Sequence, residues 1–261
     1  MLSTKSLFIA YKEKMIVEDL HIEIPGGRIT SIIGPNGSGK STILKTIARI
    51  MKPKSGVIYL DSKAIHEQST KEIAKKMAIL PQHPSAPEGL TVYELVSYGR
   101  SPHQKGFGSQ TKEDRKMVRW AIHTTGVASF ANRPVDSLSG GQRQKVWIAM
   151  ALAQGTDLLL LDEPTSFLDL AHQLEVLELL ERLNKTKSIT IVMVLHDLNL
   201  ASRFSDNMVA VDGGKVIKEG NPDDVMTREV LQKAFNIDVE IVTDPEIGKP
   251  VCLTYDLLTD T

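Results

Sequence analysis

Gly34-Pro35-Asn36-Gly37-Ser38-Gly39-Lys40-Ser41 satisfies the spacing G-x-x-x-x-G-K-[ST]. Each part of that spacing has a physical task at a polyphosphate. Glycines let the backbone curl so that successive N–H groups point inward at phosphate oxygens. The helix that follows, with Thr42 behind the loop, adds its free N–H groups and the positive end of its dipole. Lys40 supplies a full charge for the outer phosphates, and Ser41 offers a hydroxyl to Mg²⁺. The loop is a binding site for the phosphates of a nucleoside triphosphate.

A second cluster carries acids. Leu158-Leu159-Leu160-Leu161-Asp162-Glu163-Pro164 is an apolar run ending in adjacent carboxylates, which are costly at a strand end unless they hold charge or move protons. Asp162 suits the shell of Mg²⁺ through water, and Glu163, on the other side of the strand, suits a general base for attacking water. His196 ends the run Ile189 to Leu195, where a neutral imidazole could touch the γ-phosphate or orient the water and Glu163. Gln82 follows the run Met77 to Leu80, and its amide oxygen could reach Mg²⁺ or the attacking water. A third cluster, Leu138-Ser139-Gly140-Gly141-Gln142, precedes a helical pattern and would expose N–H groups at a helix start, a second anion site. One phosphate loop has no need of a second anion site within its own chain. The need arises if two copies pair head to tail, each helix start capping the phosphate held by the other.

The elements that must position these residues read as an α/β core with a largely parallel sheet, because apolar runs alternate with helical patterns. Ile29 to Ile33, Val57 to Leu60, Met77 to Leu80, Leu158 to Leu161 and Ile189 to Leu195 have the length of buried strands. Behind the phosphate loop, Ile43, Leu44, Ile47, Ile50 and Met51 fall at helical spacing on one face. The stretch from His83 to Leu152 differs, with turns at Pro84, Pro87 and Pro102, a loop from Gln104 to Gln110, and helical patterns from Thr91 and from Lys112. The expected organisation is one domain over 1–261. Its α/β core comprises 1–82 and 153–261, and residues 83–152 form an inserted helical subdomain. Gly213-Gly214 splits Val209 to Lys218 into a hairpin, Thr227 to Phe235 is helical, and a second hairpin turns around Pro245 and Gly248.

Composition narrows the function classes. With 41% hydrophobic and 24% charged residues the chain is globular, neither disordered nor collagenous. Its 31 basic and 32 acidic residues nearly cancel, so no electrostatic case exists for nucleic acid as a partner. Cys252 is the single cysteine, which rules out an internal disulfide and reads as an inert thiol. No apolar run approaches the roughly 20 residues that span a bilayer, and the start Met1 to Lys5 lacks signal-peptide character. The expectation is a soluble, cytoplasmic chain whose membrane role, if any, comes through a partner.

Taken together, the motifs resemble those of the ATP-binding-cassette ATPases. The phosphate loop Gly34 to Ser41, the signature Leu138 to Gln142, the acid strand Leu158 to Glu163 and the D-loop Ser166-Phe167-Leu168-Asp169 stand in the family's order. His196 corresponds to its switch histidine and Gln82 to its lid glutamine, while Tyr11 stands where the family places an aromatic that stacks on adenine. The resemblance implies a P-loop core with an N-terminal antiparallel β part and an inserted helical subdomain. It implies ATP and Mg²⁺ as ligands, Glu163 as base, and an ATP-closed dimer of two copies in which Asp169 also serves the nucleotide.

Further stretches are similar to importer ATPases for ferric siderophores, haem and cobalamin. They are Val96-Ser97-Tyr98-Gly99-Arg100-Ser101-Pro102-His103, Trp147 to Gln154, and Phe167-Leu168-Asp169-Leu170-Ala171-His172-Gln173. That likeness runs from about Leu7 to Leu253. It implies an ATP-hydrolysing subunit on the cytoplasmic face of the membrane that energises import of an iron complex, a ferric siderophore before haem or cobalamin. Its implied partners are a second copy, integral permease subunits and, indirectly, a substrate-binding protein. A soluble cassette ATPase for DNA or ribosome work is the rival reading, but the long coiled-coil insertions and second cassette of such proteins are missing from the sequence.

Overall fold

The computed structural model describes residues 1–104 and 110–258. Most of the loop expected between Gln104 and Gln110 therefore lies outside the described residues. Two compact units divide the chain: Met1–Glu67 with Thr190–Thr261, and Gln68–Ile189.

The first unit opens with strands β1 (Leu2–Tyr11), β2 (Lys14–Leu20) and β3 (Glu23–Ile24), then β4 (Ile29–Ile33), helix α1 (Lys40–Ile47), β5 (Ser55–Leu60) and β6 (Lys63–Ala64). β1 pairs antiparallel with β2, β3 and β5, forming the N-terminal antiparallel part. β4 is buried at every residue, as a central strand covered on both faces requires. The helix behind it is shorter than the apolar spacing suggests. Ile43, Leu44 and Ile47 are buried, but Ile50 is 58% exposed. Arg49 turns left-handed (φ 61°), and the N–H groups of Ile50 and Met51 fold back onto the Lys45 carbonyl, so the chain leaves the helix before those side chains reach the core.

The second unit holds α2 (Thr70–Ala74), β7 (Met77–Leu80), α3 (Val92–Tyr98), α4 (Lys112–Thr124), α5 (Gly140–Ala153), β8 (Leu158–Leu161) and α6 (Leu170–Lys187). β7 and β8 pair in parallel over Met77–Leu80 and Leu158–Leu161. Helices α3, α4 and α5 each begin with a reciprocal cap, Thr91 with Glu94, Thr111 with Asp114, and Ser139 with Gln142. A buried joint ties their ends. Arg100 donates to Asp114 at 2.8 Å and to the carbonyls of Ala153 (2.8 Å) and Gln154 (3.1 Å), while a ring nitrogen of His103 meets the Gln154 carbonyl at 2.7 Å. The Gln154 amide in turn donates to the carbonyls of Ala74 and Met77 at 2.5 and 2.9 Å. Gly99 has no room for a side chain, since a Cβ there would lie 2.1 Å from the Met150 carbonyl oxygen.

The chain returns to the first unit with β9 (Thr190–Val194), α7 (Leu198–Phe204), β10 (Asn207–Asp212), β11 (Lys215–Gly220), α8 (Pro222–Val225), α9 (Arg228–Phe235), β12 (Ile237–Thr243) and β13 (Pro250–Leu257). β10, β4 and β9 are parallel neighbours, and β11 returns antiparallel beside β10 through Gly213 (φ 52°) and Gly214 (φ 75°). The hairpin around Pro245 and Gly248 is longer than its turn residues suggest, pairing Ile237 through Thr243 with Pro250 through Leu257. Cys252 is buried there, and its backbone N–H donates to Asn199 at 2.8 Å. Burial and the nearby Asp197 carboxylate push the thiol up to about 11, so it stays protonated.

Candidate nucleotide site

The residues singled out in the sequence divide between the units. The phosphate loop, Tyr11 and His196 belong to the first, and Gln82, Ser139 to Gln142, Asp162, Glu163 and Asp169 to the second.

In the first unit, β4 delivers the chain straight into the loop. Gly34 has φ 154°, and a Cβ there would lie 2.0 Å from the Val211 carbonyl oxygen, so only glycine lets the loop leave the sheet at this angle. Gly37 (φ 82°) and Gly39 (φ 102°) complete the curl. Lys40 turns back over it, with Nζ 2.8 Å from both the Gly34 and Pro35 carbonyls. This places a buried positive charge inside the ring of backbone. Gly39 precedes α1 and provides no side-chain cap, so the positive end of the helix dipole faces the loop. Ser38 Oγ is buried without a hydrogen-bond partner. An orphaned hydroxyl, an uncapped helix start and an enclosed ammonium are the donor set a polyphosphate needs. Asn36 is exposed at the tip, Pro35 half-buried beside it, and Ser41 and Thr42 half-buried on the first turn. Tyr11 ends β1 and is 65% exposed as a residue, so it is no core aromatic. His196 is exposed at the end of β9, where Asp197 caps α7 by accepting from the Leu200 N–H at 2.8 Å.

In the second unit, β8 carries Asp162 to its end, buried, with its N–H donating to the Leu80 carbonyl at 2.9 Å. Glu163 then turns left-handed (φ 54°), a conformation costly for a side chain of that kind and typical of functional turns. Its Oε2 accepts from Gln82 Nε2 at 2.5 Å and from Ser166 Oγ at 2.8 Å. Gln82 thus faces the carboxylate with its nitrogen. Ser166, three residues past Glu163 in a turn, was legible only as part of the D-loop and not as a partner of the acid. Among the described residues no group of three or more His, Cys, Asp or Glu gathers as a metal site. Ser41 in the first unit and Asp162 in the second each offer an oxygen donor of the kind Mg²⁺ takes.

The signature start is more tightly bonded than its sequence suggests. Ser139 Oγ accepts from the Gln142 N–H at 3.3 Å, and the Gln142 side chain accepts from the Ser139 N–H at 3.2 Å. The Ser139 N–H expected to face an anion is therefore taken by the cap, while those of Gly140 and Gly141 are not part of it. Asp169 caps α6, accepting from the His172 N–H at 2.9 Å. Gln144, one turn into α5, donates to the Pro164 carbonyl at 2.8 Å, a contact no sequence pattern announces.

Residues 17–166 match the family described as ABC transporter. The chain is 65% identical over 257 residues to the iron(3+)-hydroxamate import ATP-binding protein FhuC of Bacillus subtilis (strain 168), covering 98% of this chain and 96% of that one. It is 44% identical to the ferric enterobactin transport ATP-binding protein FepC of Escherichia coli (strain K12), covering 95% and 91%. Among solved structures it is similar to the dimeric post-hydrolysis state of the ATP-binding cassette MJ0796 bound to ADP and Pi. There the identity is 33% and the TM-score 0.74, over 85% of this chain and 98% of that one.

Proposed function

Because the chain belongs to the ABC transporter family, we propose that it is the ATP-hydrolysing subunit that energises import of a ferric siderophore through a membrane permease. The observation that carries the nucleotide part is the loop itself, where Ser38 Oγ is buried without a partner beside the enclosed Lys40. The cargo part rests on the relatives. FhuC is named for iron(3+)-hydroxamate import, FepC for ferric enterobactin transport, and the 65% identity to FhuC supports a ferric hydroxamate here.

The loop from Gly34 to Ser41, with Thr42 behind it, holds the phosphates, and Tyr11 stacks on the adenine. Ser41 and Asp162 hold Mg²⁺, Asp162 through water, with the Gln82 amide oxygen as a further donor once it leaves Glu163. When bound there, the ion would supply charge neutralisation for the phosphates. Glu163 takes a proton from the attacking water, and His196 contacts the γ-phosphate or orients that water. Ser139, Gly140, Gly141 and Gln142 of a second copy close over the γ-phosphate, and Asp169 serves the same dimer face. ATP then acts as a clamp between two copies, and hydrolysis reopens it. No helix among the described residues is long and apolar enough to cross a membrane. Attachment to the cytoplasmic face runs through the permease, with residues 83–152 as the docking subdomain and a substrate-binding protein delivering cargo outside.

Glu163→Gln tests the chemistry. ATP turnover falls by at least about 100-fold while ATP binding persists and a dimer accumulates on size-exclusion chromatography. Unchanged hydrolysis removes Glu163 as the base. Uptake of ferric hydroxamate into vesicles holding the chain with its co-purified permease tests the cargo, and transport of haem or cobalamin instead would overturn it.

A further inference from the structure

His172 lies outside every role given so far, yet it touches two motifs that the proposed dimer presents to its second copy. Its Nδ1 lies 2.7 Å from Asp169 Oδ1, the oxygen that also accepts the His172 backbone N–H. A carboxylate only accepts, so Nδ1 carries the proton and the ring orientation is set. The other edge of the ring rests on the signature. A Cβ built on Gly141 would lie 2.4 Å from His172 Cδ2 and 2.8 Å from Cγ, so the ring fills the space a side chain would take.

Stability alone is a poor account of this arrangement. The His172 and Asp169 side chains are 39% and 69% exposed, and exposed pairs of this kind add little to stability. Three neighbouring contacts point to a fastening instead. One turn further along α5, Gln144 holds the Pro164 carbonyl, next to Glu163, and Lys145 pairs with Glu175 of α6 at 2.5 Å. Gln173 ties back to the Leu168 carbonyl at 3.0 Å. The first turns of α5 and α6 and the D-loop between Glu163 and Asp169 are laced together, and His172 is the part of the lacing nearest the signature glycines.

We propose that His172 is a positioning residue that locks the signature glycines and Asp169 into one block, so that both meet the second copy in register. This rests on the two-copy clamp proposed above. His172 acts through Gly141 and Asp169 and touches no nucleotide.

The test uses the full chain in the Glu163→Gln background, comparing His172 with His172→Ala, His172→Asn and His172→Phe. Asn keeps a donor for Asp169, whereas Phe keeps the ring and loses the donor. Readouts are binding of a fluorescent ATP analogue to the monomer, the melting temperature, and the ATP concentration that half-saturates dimer formation. The Ala and Phe variants are expected to bind the analogue and melt like the parent but to need about tenfold more ATP to dimerise, the loss of one charge-assisted hydrogen bond. The Asn variant is expected to recover most of that loss. Dimerisation of His172→Ala at the parent's ATP concentration overturns the proposal, as does recovery by Phe equal to that by Asn. If the parent itself forms no dimer with ATP, the clamp reading falls and takes this proposal with it.

Discussion

The amide nitrogen of Gln82 sits 2.5 Å from Glu163 Oε2, across 81 residues of chain, and Ser166 Oγ approaches the same oxygen at 2.8 Å. The proposed base thus accepts from two neutral donors at one oxygen. The Gln82 oxygen, expected at Mg²⁺ or the attacking water, can take that place only after the nitrogen lets the carboxylate go.

Replacing that amide by an acid tests the contact. Gln82→Glu sets two carboxylates against each other, and the pair then shares a proton instead of ionising fully. A like charge raises a carboxyl's pKa, so the base becomes available only at higher pH. The acid limb of the kcat–pH profile is expected to move up by about one unit or more. A limb that stays in place would mean that Gln82 does not touch the working carboxylate.

Two glycines of the phosphate loop separate conformational strain from steric contact. Gly37 has φ 82° and open space where a Cβ would go, so Gly37→Ala costs only the left-handed backbone, about 1–2 kcal/mol. Gly34→Ala drives a methyl group to 2.0 Å from the Val211 carbonyl, and backbone must move. The expected order in urea unfolding is therefore Gly34→Ala well below Gly37→Ala, with nucleotide binding lost in the former. Equal stabilities would show that the loop yields more readily than the geometry implies.

The buried pair in the helical region gives a prediction with a pH sign. Burial alone would raise the Asp114 carboxyl, but bonds from Thr111 and Arg100 more than offset it and hold the group at about 2, below its ordinary 3.8. A depressed carboxyl contributes stability above its unfolded value and loses it as pH falls through the folded one. That contribution is full above about pH 4 and fades towards pH 2. Asp114→Asn leaves Arg100 charged and unpaired inside the protein, and costs about 3–5 kcal/mol at neutral pH. Denaturant unfolding from pH 7 to pH 2.5 checks both points, the variant curve being flatter across the acid range.

Legibility in the sequence followed the distance over which each feature is encoded. The phosphate loop, the acid pair and the helix start at Ser139 lie within a few residues, so local spacing pointed to them. The strands were legible too, because β8 is an unbroken apolar run ending in acid and β4 a short isoleucine-rich run ending in glycine. The grip of Gln82 on Glu163, the bond from Gln144 to Pro164 and the pairing of Arg100 with Asp114 join residues brought together only by tertiary packing. No local pattern announces them. Ile50 misled for the opposite reason, since its spacing continues the helix while the left-handed turn at Arg49 ends it.

The joint of Gly99, Arg100 and His103 with Gln154 bears on how such a chain can change over time. Two stretches that look like separate family marks are halves of one fitting: a side chain at position 99 would collide with the carbonyl at 150, and Arg100 spends its donors on the carbonyls of 153 and 154. The second stretch contributes backbone carbonyls, which any residue supplies, so the constraint falls on the first: a change at 99 crowds the end of α5, and a change at 100 leaves its last carbonyls without their donor. A graft of the first stretch from one importer ATPase into another therefore finds its acceptors already in place wherever the recipient helix ends at the same residue.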